Sequence, residues 1–354
     1  MTGMFRMLTA RRSRLARDWT DWASLAYLLL GVLVMFLPVL WLFASSLKSE
    51  QALNAFPPSF LPWEPAMVAV AGHHGRLPLM QVTADVPRGP HAGERLAELR
   101  HIGLIAQMLD PAKPGAVIHV PIRDLKPVEH LHASWSNFTD LVRRFNFLGY
   151  FKNSVLITTL ATLITLLVNS MAAFALSKYR FAGRDAVFGL MLATLMVPPT
   201  IVLVPNFLIA ARLDLVNSIW GVIWPGVATP TGVFLLRQYM LTIPDDLIEA
   251  ARMDNASEWR IYWRIVLPLS APALAVLAIF SVMWRWNDFL WPMVVLNRSS
   301  VFTLPLALFA FQGDLQTQWH YLLAMTVLTL LPVTIIFLIL QRSITQGIAS
   351  AGVK

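Results

Sequence analysis

Cysteine is absent from the 354 residues. That excludes a disulfide framework and thiol chemistry, and it leaves the redox state of the compartment unread. Charge is scarce as well: Asp, Glu, Lys and Arg make up 14% of the chain, against 56% hydrophobic residues. A soluble domain carries about 25% charged residues, so this balance points to a membrane protein. No phosphate loop of the G-x-x-x-x-G-K-[ST] type occurs, which removes ATP hydrolysis by that chemistry. Metal-ligand spacing is missing too. Seven of the eight histidines (His73, His74, His91, His101, His119, His130 and His132) fall in one stretch. They match no tight metal motif and have only scattered carboxylates nearby, so they read as solvated loop residues, although His130 and His132 would share a face of a strand.

What the chain has instead is long stretches free of Asp, Glu, Lys and Arg, at residues 22–47, 153–177, 186–211, 215–236, 265–284 and 315–341. Each reaches the roughly 20 residues that cross about 30 Å of hydrocarbon as a helix. The expected fold is therefore an all-α membrane protein with six transmembrane helices. Pro198, Pro199 and Pro205 in the third stretch, and Pro225 and Pro230 in the fourth, predict kinks. Residues 299–313 are apolar but too short to span, and Pro305, Gln312 and Gly313 mark them as interfacial or re-entrant. The first stretch exceeds the roughly 7–15 residues of a signal-peptide core, so it reads as a retained helix.

Charge in the short connections sets the orientation. Arg6, Arg11, Arg12, Arg14 and Arg17 precede the first span; Lys178, Arg180 and Arg184 follow the second; Arg237, Arg252, Arg260 and Arg264 follow the fourth. Only Arg212 and Arg298 mark the other side, which places both termini in the cytoplasm. The net charge of +8 thus reflects topology, and nothing supports nucleic-acid binding.

Three parts follow: a basic tail and first helix (1–47), a long external segment (48–152) and a five-helix core (153–354). The external segment is punctuated by Pro and Gly. Short apolar runs at 67–71, 79–83 and 116–122 predict strands, and Leu96, Leu99, Ile102, Ile105 and Leu109 predict a helix over 94–109. A small α+β insertion at about 66–134 is expected, because a structureless loop of that length is unusual.

Between the fourth and fifth spans, residues 243–268 predict a helix, a turn and a second helix. Pro244 opens the first, and Asp245 and Asp246 complement its dipole. Asp254 and Asn255 stop it, since Asn tolerates the left-handed conformation, and Ser257 caps the next helix. Glu249-Ala250-Ala251, three residues, Asn255 at a glycine position, nine residues, then Ile265-Val266-Leu267-Pro268 resembles the signature of ABC-importer permease subunits. The surrounding Asp254, Ala256 and Ser257 are similar to the carbohydrate-type, maltose-permease MalG-like branch. So are Phe-Lys-Asn-Ser-Val at 151–155, Ala-Phe-Ala-Leu-Ser-Lys-Tyr-Arg-Phe-Ala-Gly at 173–183, Trp-Asn-Asp-Phe-Leu at 286–290 and the tail at 347–354. There are two departures, Asn255 in place of glycine and the added residues 66–134.

The resemblance implies a bacterial inner-membrane, binding-protein-dependent importer for a carbohydrate, polyol or glycerophosphate solute. The first loop helix would dock with Glu249, Ala250 and Ala251 in a cleft of a separate ATPase, and closure of two ATPases would move the loop together with spans four and five. Implied partners are a second homologous permease in a heterodimer, two cytoplasmic ATPase subunits holding ATP and Mg, an external solute-binding protein and membrane lipid. The chain itself would have no catalytic residue and no cofactor, and its tail at 341–354 would approach the ATPase. Polar groups in or beside spans are the pathway candidates: Asn169, Trp284, Trp286, Asn287 and Asp288, with Arg285 and Asp288 neutralising each other. The plainer reading, and the one favoured, is an interfacial belt of Trp284, Trp286 and Trp291 with the ion pair snorkelling outward. A secondary transporter would need inverted repeats and mid-membrane carboxylates, and neither is seen. A membrane scaffold with an external binding module would leave residues 243–268 unexplained.

Overall fold

The computed structural model describes residues 19–55, 57–71, 75–83, 91, 93–113, 115, 117–143, 145–310 and 318–352. The basic tail, His73, His74 and residues 311–313 and 315–317 of the predicted segments lie outside the described residues. The chain divides into two units, residues 1–134 and 135–354.

The first unit begins with helix α1 (Trp19–Ser46), whose 28 residues coincide with the first predicted span. Its side chains are exposed along most of its length, and near its C-terminal end the Trp41 ring meets Phe60 edge-on. Beyond it, Lys48 is buried, with its amine over the Trp41 ring and donating to the Ser59 carbonyl. The chain then enters eight strands: β1 (Trp63–Pro65), β2 (Met67–Ala69), β3 (Arg76–Val82), β4 (Arg95–Ile102), β5 (Ile105–Leu109), β6 (Val117–Pro121), β7 (Leu125–Pro127) and β8 (Glu129–Leu131). β1 and β8 form an antiparallel stalk that pairs Trp63 with Leu131. The others make an antiparallel sheet in the order β2-β3-β4-β5-β6, with β7 also on β3. Val82, Leu96, Ala106, Met108, Val120 and Leu125 form its main apolar core.

Three of these strands match the apolar runs at 67–71, 79–83 and 116–122. The helix over 94–109 is wrong: those residues form the β4–β5 hairpin. Ile102 pairs with Ile105 across a two-residue loop in which Gly103 has φ 64°, the position where a tight hairpin turn favours glycine. A register shift between Glu98 and Arg100 changes which face each residue takes, and this turned a strand pattern into an apparent helical one. Among its described residues the module is thus built of strands, with one 3-10 turn at Ile122–Asp124, rather than α+β.

The second unit is helical. α2 (Ser136–Arg143) leads into α3 (Phe147–Lys178), a 32-residue column that buries Ile157, Ala161, Asn169, Ala173 and Phe174. The predicted third span is interrupted: α4 (Arg184–Ala193) and α5 (Leu203–Arg212) are ten residues each, separated by a tight turn and by Pro198 and Pro199. Two consecutive prolines remove backbone donors and force extended backbone before them, so the expected kink becomes a break. In the fourth, α6 (Ile219–Ile223) continues to Gly226 before α7 (Pro230–Met240), with a 49° bend between the two halves. In the fifth, the segment Glu258–Leu269 meets α10 (Ala271–Asn287) at 77°. The intervening α8 and α9 are described below. α11 (Leu304–Ala310) falls in the predicted short segment, and α12 (Trp319–Gly352) includes the last span and carries the backbone of the tail to Gly352. Among the described residues three helices are long and apolar enough to cross a membrane, or up to five if each bent pair is one span.

Candidate functional site

α8 (Asp245–Met253) and α9 (Glu258–Ile261) take up the loop singled out by its sequence. In α8 only Ile248 is buried. Leu247, Glu249, Ala250 and Met253 are exposed, Met253 at 88%, while Ala251 is half-buried. One side chain thus roots the helix in the core while an apolar face with a carboxylate and a small residue stays open.

The turn after α8 follows from Asn255, whose φ is 58°. The Asn255 amide donates to the Arg252 carbonyl at 2.9 Å and the Ala256 amide to the Ala251 carbonyl at 3.0 Å. These two bonds are the Schellman pair that satisfies a helix end, with asparagine where glycine is usual. Asp254 precedes the turn, and Ser257 caps α9 by accepting from the Arg260 amide at 3.4 Å. The helix widens into a π turn over Tyr262–Val266 before Leu267, Pro268 and the bend at Ser270. Pro268 has no N–H to offer the carbonyl four residues back, so wider i→i+5 bonding beside it has a local cause.

Polar contacts from the end of α3 hold both ends of α8. Lys178, its side chain almost fully buried, donates through Nζ to the Ile243 carbonyl and to Asp245 Oδ1, each at 2.6 Å. This contact holds the Asp245 carboxyl below its ordinary 3.8. Tyr179 donates its hydroxyl to Glu258 Oε2 at 2.8 Å, and Arg252 donates Nε to Glu258 Oε1 at 2.9 Å. Burial, then the Glu258 bond, push the Tyr179 phenol up to about 12. Deeper in the core, the buried Ser170 and Tyr262 hydroxyls meet at 2.7 Å. Sequence reasoning missed Ser170, Lys178, Tyr179, Glu258 and Tyr262 as a group. Their signal was a cation and a phenol ending an apolar run, next to a loop carrying the complementary carboxylates.

The residues expected to line a pathway are not brought together. Asn169 is fully buried: its Nδ2 donates to Thr229 Oγ1 at 2.7 Å and its Oδ1 accepts from the Thr229 amide at 3.1 Å. It bolts α3 to the break before α7. Trp286 is also buried, donating to the Thr329 carbonyl at 3.0 Å and meeting the Phe151 ring edge-on. Trp284 is 71% exposed, because a two-residue step turns a helix by roughly 200°. The two indoles therefore cannot form one stacking platform. Asn287 is exposed and donates to the Met283 carbonyl at 2.8 Å. Arg285 donates to the Gly226 carbonyl, and Asp288, close enough to attract it electrostatically, accepts from the Trp291 amide at 3.5 Å. Among the described residues no group of three or more His, Asp or Glu side chains is placed to hold a metal.

A sequence model of binding-protein-dependent transport system inner membrane components matches residues 169–350, which contain this site. The arabinooligosaccharides transport system permease protein AraQ of Halalkalibacterium halodurans is 40% identical over 205 residues, 58% of this chain and 74% of that protein. The sn-glycerol-3-phosphate transport system permease protein UgpE of Pectobacterium atrosepticum is 31% identical over 262 residues, 71% of this chain and 90% of that protein. Among solved structures, a chain of a bacterial ABC transporter involved in the import of the acidic polysaccharide alginate aligns with a TM-score of 0.66 at 20% identity, covering 94% of this chain and 99% of that one.

Proposed function

The chain belongs to the family of binding-protein-dependent transport system inner membrane components, and on that premise we propose that it is the permease subunit that passes a carbohydrate, polyol or glycerophosphate solute across a bacterial inner membrane. The observation that carries the reading is α8: a short helix held at both ends, with Leu247, Glu249, Ala250 and Met253 open to a partner. The small Ala250 allows close approach, and Glu249 offers a charge to a basic partner residue. Ala251 and the turn residues Asp254, Asn255, Ala256 and Ser257 set the helix angle, and Leu267 and Pro268 lead into the bend toward α10.

The proposed assembly has six spans, the third interrupted at its prolines, with both termini in the cytoplasm and the strand module of about residues 66–134 outside. The core comprises residues 153–354, preceded by the first helix at 1–47 and the external segment at 48–152. A second, homologous permease completes the pathway. Two cytoplasmic ATPase subunits hold ATP and Mg and hydrolyse it, and an external binding protein delivers the solute. Trp284, Asn287 and Asp288 remain the pathway candidates, while Asn169 and Trp286 act from within the packing around them.

Co-purification from membranes tests the reading. A tagged chain should bring down an ATPase, and Glu249→Lys should lower both ATPase recovery and ATP-driven solute uptake at least several-fold. Unchanged recovery and uptake in Glu249→Lys would overturn it.

A further inference from the structure

We propose that Lys178 and Tyr179 are positioning residues that make α3 and α8 one moving body, so that ATPase motion enters the membrane core through α3 as well as through the helices on either side of the loop. The inference rests on α8 being the ATPase contact.

The chain's own connections from α8 lead to α7 on one side and, through α9, to α10 on the other. The hydrogen bonds lead elsewhere. Lys178 holds the N-terminal end of α8 through the Ile243 carbonyl and Asp245, and Tyr179 holds its C-terminal end through Glu258 and Arg252. A nine-residue helix gripped at both ends cannot pivot about either without breaking a bond. Two further contacts land on the same end of α3: Arg237 of α7 donates to the Leu176 carbonyl at 3.1 Å, and Tyr262 meets Ser170 at 2.7 Å. Exposed ion pairs hold little, and Asp245 is 66% exposed, but the Lys178 side chain is only 2% exposed and its bond to the carbonyl of the buried Ile243 is sheltered from water. Above them, Asn169 of α3 grips Thr229 at the break before α7. A displacement of α8 is therefore delivered to α3 and, through Asn169, to the bend in the fourth span.

The absence of cysteine makes the test direct. Asp246→Cys and Met171→Cys would carry spin labels on α8 and α3 in the importer purified through a tag on this chain. Pulsed electron spin resonance would then compare the nucleotide-free complex with the complex trapped by ATP and orthovanadate. The expected result is one distance distribution in both states. It should split between states when Tyr179→Phe is combined with Lys178→Met, with solute uptake per ATP hydrolysed falling at least several-fold. Glu258→Gln, which keeps an acceptor for the Tyr179 hydroxyl, should retain more of that ratio than Glu258→Ala. A distribution that shifts between states in the otherwise wild-type complex would overturn the inference and leave the ATPase contact standing. Failure to recover any ATPase would instead remove the proposed function.

Discussion

Asn255 holds a backbone φ of 58° at the end of α8, and the left-handed region costs a residue with a Cβ roughly 1–2 kcal/mol, least for asparagine. Asn255→Gly should therefore raise the melting temperature slightly, and Asn255→Val should destabilise by about 1–2 kcal/mol, both read by thermal unfolding in detergent. Tyr179 yields a pH prediction of definite sign. Its phenol is raised from 10.0 to about 12, so the folded chain prefers the protonated form more than the unfolded chain does. That contribution is whole below pH 10.0 and disappears as pH rises toward about 12. The difference in melting temperature between wild type and Tyr179→Phe should shrink across that window. At this scale the sequence showed Asn255 and Ser257 because their roles depend only on neighbours in the chain. It did not show the Tyr179–Glu258 bond, whose partners are brought together by the packing of α3 against the loop.

Among the elements, broken helices are the recurring theme, and each break has a side chain or a missing one behind it. At the bend before α7, Asn169 bonds both the hydroxyl and the amide of Thr229, and a Cβ on Gly232 would meet the Asn169 amide and the Thr229 hydroxyl. Asn169→Ala removes the partner of the amide and hydroxyl of the half-buried Thr229 and should cost about 1–3 kcal/mol. Gly232→Ala overpacks the same spot and should cost a similar amount, about 1–3 kcal/mol. Because the two changes act on one contact, their effects on thermal unfolding should fall short of additive. Proline positions announced these breaks, but their severity was not legible. Whether a proline bends a helix or ends it depends on whether a neighbour re-satisfies the freed backbone groups. The hairpin taken for a helix failed for a related reason: the register shift between Glu98 and Arg100 is set by pairing with β5 and cannot be counted along the sequence.

For the whole molecule, the long uncharged apolar runs pointed to a helical membrane protein, and residues 243–268 identified the kind of machine. The strand module was visible as an intrusion whose internal order remained hidden, since strand neighbours such as β3 and β7 are far apart in sequence. Residues 135–354 form a unit with their own apolar cores. Replacing residues 66–134 by a short flexible linker should thus leave the remaining chain inserted and monodisperse, as judged by size-exclusion chromatography in detergent. Aggregation of that variant would show that the module supports the core.

The stalk that closes the module has a bearing on when it folds. β1 pairs with β8, and the Ser134 amide returns to the Leu47 carbonyl at 2.8 Å. Every strand of the sheet finds its partner among residues made before α3 begins. During synthesis the ribosome thus completes a self-sufficient piece before the membrane core emerges. A chain truncated shortly after Ser134 and released from the ribosome should already protect the β5–β6 ladder from protease, without the remaining helices.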